Sequence, residues 1–189
     1  FVSSSYDIRS TLRMIFNSDF FKNEAAWFAK IKSPAEVVVG TIRLVGDFRQ
    51  PQPMMPISME AEYQGQGLLN PPSVEGWHTG HEWIDSGALL RRVNFVADKL
   101  GNTSMPGVKS IIDRLALHQE MSADQLVDGC LELVGLVKVN PATRQELIGH
   151  VETAGPIHRG TSEEEHAFFG QRVAQTLQLI AATREFQFC

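Results

Sequence analysis

At 189 residues the chain is long enough to bury a core without a disulfide framework or a structural metal. Hydrophobic residues make up 43% and charged residues 21%, as in globular proteins, and no run approaches the roughly 18 apolar residues that cross a bilayer. A net charge of −5, with 17 basic side chains gathered into no run, disfavours nucleic acid and anionic membranes as partners.

Helix punctuation recurs along the chain and strand alternation is nearly absent, which predicts an all-α fold. The first helix is expected over Tyr6–Phe16, with Ile8, Leu12, Ile15 and Phe16 at helical spacing. Asn17-Ser18-Asp19 breaks it before Phe20-Phe21, and both pieces read as core-facing. Ser33-Pro34-Ala35-Glu36 is the clearest start signal: a capping Ser, a Pro at the first helical position and a Glu able to reach back. Val37, Val38, Thr41, Leu44 and Val45 form the stripe that follows.

Three prolines between Gln50 and Pro56 predict the main linker, with a short helix from Ser58 to Gln66 after it. Asp85 or Ser86 caps a helix to about Leu100, its apolar residues Leu89, Leu90, Val93, Val96 and Ala97, and Gly101-Asn102 ends it. Further helices are expected over Pro106–Leu117, Ser122–Leu136, Asn140–Thr153 and from Thr161 or Ser162 to Thr183. Ser122–Gln125 and Thr161–Glu164 have capping-box spacing, and the acidic run Glu163-Glu164-Glu165 suits a first helical turn. Cys130, inside an apolar helical pattern, reads as a small buried hydrophobe; Cys130 and Cys189 allow one disulfide at most. No short repeat argues for a solenoid. The expected architecture is an irregular multi-helix bundle with one long ordered Gly/Pro/Trp loop. Residues 1–49 supply N-terminal helices, 50–84 the Pro-rich linker and loop, and 85–189 a C-terminal helical bundle, all packed as one unit. With neither an initiator Met nor a leader, the chain is expected to be a piece of a longer protein.

The loop Leu69–Ile84 draws the eye because Asn70-Pro71-Pro72 forces extended or turning backbone and Trp77 and Trp83 bring large apolar surface. Gly76, Gly80 and Gly87 are expected to supply positive φ or close approach. The wider segment LLNPPSVEGWHTGHEWIDSGALLRRVNF, Leu68 to Phe95, resembles a signature of the bacterial family called domain of unknown function 1800. Three other stretches carry the same resemblance: Asn17 to Phe21, Ile31 to Glu36 with Thr41-Ile42-Arg43, and Ala182 to Gln187. The resemblance implies the C-terminal part of a larger helical protein, in a family whose members often carry export signals, hence an extracytoplasmic setting. It also implies a separate N-terminal half holding Trp-His-Asn-His-like and Asn-Glu-Asn-like segments. It supplies no reaction, and His78 and His81 stand where the family pattern usually has other residues.

Asn70, Glu75, Trp77, His78, His81, Glu82 and Trp83 are the candidate ligand-binding residues of the loop. The indoles either pack over the bundle or rim a pocket for carbohydrate or another small ligand. His78, His81, Glu82 and Asp85 are the densest potential ligand group, yet no third ligand follows at a diagnostic spacing, so neither metal nor cofactor is expected. Glu75 and Glu82 could serve hydrolysis as paired carboxylates if held roughly 5 to 10 Å apart. His118, His150, His158 and His166 are scattered over separate elements, and no G-x-S-x-G elbow or phosphate loop is present. Three readings follow: a structural or protein-interaction lobe that meets the N-terminal half or another protein, a ligand-binding loop, and a hydrolase. The first predicts buried indoles and no deep polar pocket beside Glu75 or Glu82.

Overall fold

The computed structural model describes residues 1–48, 53–117, 120–135, 137–158 and 162–189. Gln50–Gln52 of the expected linker, His118, Leu136 and Thr161 lie outside the described residues. Among the described residues the chain forms nine α-helices with short 3-10 turns and no sheet, an all-α multi-helix fold.

The helices begin where local chemistry dictates. The first, α1 (Ile8–Asn17), starts two residues later than expected because the Asp7 carboxylate accepts from the Arg9 and Ser10 N–H groups. Ser18 caps α2 (Asp19–Lys22) through the Phe21 N–H. At the start of α3 (Pro34–Val45), Ser33 accepts from the Glu36 N–H and Glu36 from the Ser33 N–H, the reciprocal box read from sequence. Its stripe Val37, Val38, Thr41 and Val45 is buried, and Ile42 joins it.

α4 (Met54–Tyr63) begins inside the Pro-rich stretch rather than at Ser58. Pro56 is tolerated there because the first turn's N–H groups have no intrahelical acceptor. α5 (Ser86–Gly101) is capped by Asp85, whose carboxylate accepts from the Ala88 N–H. α6 (Pro106–Leu115) and α7 (Ala123–Val134) follow, the latter with the expected Ser122/Gln125 box. Asn140 caps α8 (Pro141–Thr153). α9 (Glu163–Ala182) carries Glu163-Glu164-Glu165 in its first turn, and its box pairs Ser162 with Glu165, one residue beyond the expected quartet.

The long helix α9 is the axis of the core. Phe169, Val173, Leu177 and Ile180 meet Val96 and Leu100 of α5, Val108, Ile111 and Leu115 of α6, Leu126, Val127 and Cys130 of α7, and Leu147, Ile148 and Val151 of α8. α3 lies against α4, α5 and α6. Its contact with α6 is close enough to require Gly107, where a Cβ would lie 2.0 Å from the Leu44 carbonyl oxygen.

Two expected faces are corrected. The stripe of α1 and the Phe20-Phe21 pair do not enter the core: no residue of α1 or α2 is buried, and Phe20 is 85% exposed. On α5, Leu90 is 63% exposed and Leu89 also faces outward, while Arg92 joins Val96 and Leu100 inside at 0% exposure. The reason is hydrogen bonding: the guanidinium donates from Nη1 to the Trp83 carbonyl (3.1 Å) and from Nη2 to the Lys32 carbonyl (2.6 Å).

After α9 the chain turns through Glu185–Gln187 and runs antiparallel to residues 30–32. Lys30 and Cys189 exchange N–H to C=O bonds, and the Lys32 N–H donates to Gln187. The Lys32 ammonium donates to the Phe186 carbonyl at 2.7 Å and lies 4.3 Å over that residue's ring. Burial holds the Lys32 ammonium below its ordinary pKa.

Candidate functional site

The Gly/Pro/Trp loop is built from consecutive turns. Asn70 donates its N–H to Gly67, and Gly76 donates to Ser73. The Glu75 N–H reaches the Ser73 hydroxyl. The chain reverses at Gly76 and Gly80 with φ of 97° and 63°, a region closed to most side chains, whereas Gly87 sits in the ordinary first turn of α5. Trp77 is half-buried and donates its indole N–H to the Gly67 carbonyl at 3.0 Å, which fixes the ring. Trp83, on the 3-10 turn Gly80–Ile84, is buried at 6% exposure.

Arg92 ties that turn to the segment before α3. Burial lowers its guanidinium pKa to about 10, and its Nε lacks a partner among the described residues. Among the described residues no carboxylate bonds to it; two backbone carbonyls hold the charge.

Between the two tied walls lies a cavity of about 560 Å3. Ile31, Trp77, Trp83 and Phe188 give it apolar and aromatic walls. Lys30, Ser33, Glu36 and Gln66 supply polar groups on one side, and His78, Thr79 and His81 on the other. The Lys30 ammonium pairs with the Glu36 carboxylate. Burial alone would raise the Glu36 pKa, but Lys30 and the Ser33 cap together hold it below the usual carboxylate range. Gln66 accepts the Ala35 N–H through its side-chain oxygen at 2.9 Å, an added cap on α3.

Of the seven residues singled out in the loop, Trp77, His78, His81 and Trp83 line this cavity, and Asn70, Glu75 and Glu82 do not. Glu82 instead meets Nδ1 of His78, four residues back, at the surface. Glu75 is exposed. Among the described residues no three His, Cys, Asp or Glu side chains gather as a metal-binding group. A larger cleft of about 700 Å3 opens at the start of α7, where the Ser122 and Gln125 side chains are already engaged in capping.

The cavity joins segments far apart in the chain: residues 29–36, 66, 77–83 and 188. Sequence reasoning missed Lys30, Ile31, Gln66 and Phe188. Of these, Ile31 lies inside a stretch that carried the resemblance, Ile31 to Glu36, whereas Lys30, Gln66 and Phe188 fall just outside the resembling stretches. The chain matches, over residues 1–188, the family described as "Protein of unknown function (DUF1800)". It belongs to that family. No curated protein and no solved structure matches it. Within this DUF1800 chain, two of the four resembling stretches meet at Arg92 and line the cavity, the third reaches Lys32 through the Phe186 carbonyl, and the fourth lies in the exposed α1–α2 pair.

That fourth stretch forms a second surface feature. Ile8, Leu12, Ile15 and Phe16 lie along one face of α1, and Phe16 meets Phe21 of α2 edge to face at 5.0 Å. Trp27 is exposed just beyond them. Among the described residues no helix is long and apolar enough to cross a membrane.

Proposed function

We propose that this chain is a structural, protein-interaction lobe and that the occupant of its α1–α2 face is the N-terminal half of a longer polypeptide, the partner implied by the family resemblance. The observation that carries the reading is the exposed apolar face. Phe16, Phe20, Phe21 and Trp27 each expose half or more of their surface. At about 200 Å2 per aromatic residue they present roughly 500 Å2 of aromatic surface. Ile8, Leu12 and Ile15, all exposed on the same face, carry the patch toward the roughly 800 Å2 per partner of a standard interface. Isolated apolar residues need no explanation, but a patch of this size on an amphipathic helix marks an interaction surface. A folded partner presenting its own apolar helical face would cover it. Hydrolysis by Glu75 and Glu82 has less support, because Glu75 stands in solvent and Glu82 is engaged by His78.

The test co-produces the chain with the N-terminal half of a longer family polypeptide, supplied as a separate chain, and measures complex formation by light scattering and calorimetry. A one-to-one complex is expected, and the double variant Leu12→Glu/Phe20→Glu should weaken it at least about tenfold, since each substitution removes an apolar side chain from the contact. Because both residues are exposed, the variant's own stability should stay within about 0.5 kcal/mol per site. Equal binding by the variant, or its unfolding in isolation, would overturn the proposal.

A further inference from the structure

We infer that the cavity between residues 29–33 and the Trp77–Trp83 turn is a binding site for a small neutral saccharide. The inference is independent of the α1–α2 face. Its volume of about 560 Å3 lies within the range of roughly 300 to 1,000 Å3 typical of small-molecule sites. Its walls are preorganised: the Trp77 ring is pinned by its bond to Gly67, and the Arg92 bonds to the Trp83 and Lys32 carbonyls hold opposite sides together. With its N–H already committed, Trp77 offers the ligand ring surface.

The polar groups decide the ligand's charge. Lys30 and Glu36 compensate each other, so an ionic ligand would have to break that pair, whereas a neutral one leaves it intact. Beside that pair and the two histidines, of which His78 is engaged by Glu82, the cavity offers uncharged donors and acceptors. Ile31 forms the non-hydrogen-bonded pair with Phe188, so the pleat turns its N–H and C=O away from the C-terminal segment. Neither group has a hydrogen-bond partner among the described residues, although Ile31 is only 5% exposed. Buried backbone groups are rarely left in that state, and a ligand carrying both a donor and an acceptor would satisfy them. The Gln66 amide nitrogen is uncommitted, its oxygen being taken by the Ala35 N–H, and the Thr79 hydroxyl has no partner among the described residues. A pyranose ring has the matching chemistry: an apolar C–H face for the aromatic wall, and a rim of hydroxyls that each donate and accept.

The test is a titration of the isotope-labelled chain, followed by backbone and indole N–H resonances. The probes are glucose, N-acetylglucosamine, mannose, galactose, cellobiose and chitobiose, each to about 20 mM, a range that covers the weak binding expected of so small a ligand. At least one should give saturable shifts clustered at Ile31, Trp77 and the Gln66 side-chain amide. Thr79→Val deletes one hydroxyl at an exposed position. Gln66→Glu keeps the acceptor that caps Ala35 while removing the donor hydrogens. Each should weaken binding about fivefold, the loss typical of one hydrogen bond. The inference fails if no probe moves the Ile31 and Trp77 signals together, or if both variants bind as the parent does.

Discussion

Gly107 offers a sharp check on how α3 and α6 meet. It occupies the second position of α6, and a Cβ there would lie 2.0 Å from the Leu44 carbonyl oxygen and 2.7 and 2.8 Å from backbone atoms of Val45. These obstacles are main chain, so no side-chain rotation relieves them, and the helices would have to part by about 1 Å. Overpacking of this kind costs about 1 to 3 kcal/mol, and backbone obstacles place Gly107→Ala at the upper end. The helical preference of Ala over Gly returns at most about 1 kcal/mol. The net loss is about 2 kcal/mol, which lowers the Tm of a chain this size by roughly 4 to 8 °C. Gly149→Ala, in α8, is the matched control, because nothing lies within 4 Å of its added Cβ. It should raise the Tm by a few degrees. Thermal and urea unfolding followed by circular dichroism measure both. A Gly107→Ala chain as stable as its parent, beside a stabilised Gly149→Ala chain, would refute the close packing of α3 on α6.

Two other outcomes follow from groups buried to different degrees. Burial pushes the Cys130 thiol pKa up to about 12, while Cys189 is exposed, so a thiol reagent near pH 8 should modify one cysteine in the native chain and the second only after denaturation. Rapid native modification of both would contradict the buried setting of Cys130. Glu185 accepts from the Asn140 backbone and side chain and from the Thr143 hydroxyl. Burial alone would raise its pKa, but its own backbone N–H and these bonds together hold it below the ordinary carboxylate value of 4.5. A carboxyl depressed on folding adds stability above its unfolded pKa and loses it as pH falls through the folded one. Glu185→Gln should therefore cost about 1 to 2 kcal/mol at pH 7, with the gap to the parent closing below about pH 4.5. A gap independent of pH would count against the carboxylate's role.

Much of the fold was legible because its signals are local. The box at Ser33 and Glu36, the Ser122/Gln125 box and the acidic first turn of α9 each depend on residues within four positions, and all three form. Periodicity also identified α1 as amphipathic, but periodicity reports that a face is apolar and says nothing of what covers it. Reading that face as core was a step the pattern did not license, and the structure leaves it exposed. At α4 the count of prolines overruled position: Pro56 would break a helix interior but falls in a first turn.

The cavity was legible only by half because its chemistry is assembled across the chain. Hydropathy counted Leu90 among the apolar residues of α5 and gave no reason to look at Arg92, yet Leu90 is exposed and Arg92 is buried, since nothing local announces acceptors for a buried guanidinium. Those acceptors are carbonyls 9 and 60 residues away, and the Lys32 segment is itself fixed by pairing with the C-terminal residues. A buried cation without a bonded carboxylate is a costly arrangement unless every donor finds an oxygen, and Arg92 leaves Nε without one among the described residues. The geometry therefore gives this Arg a specifying role over a stabilising one: it fixes the distance between Trp83 and Lys32, and with it the width of the cavity. The Trp loop supplied the visible half of the site, and the half carrying Ile31 and Gln66 depends on a tertiary tie that no spacing rule encodes.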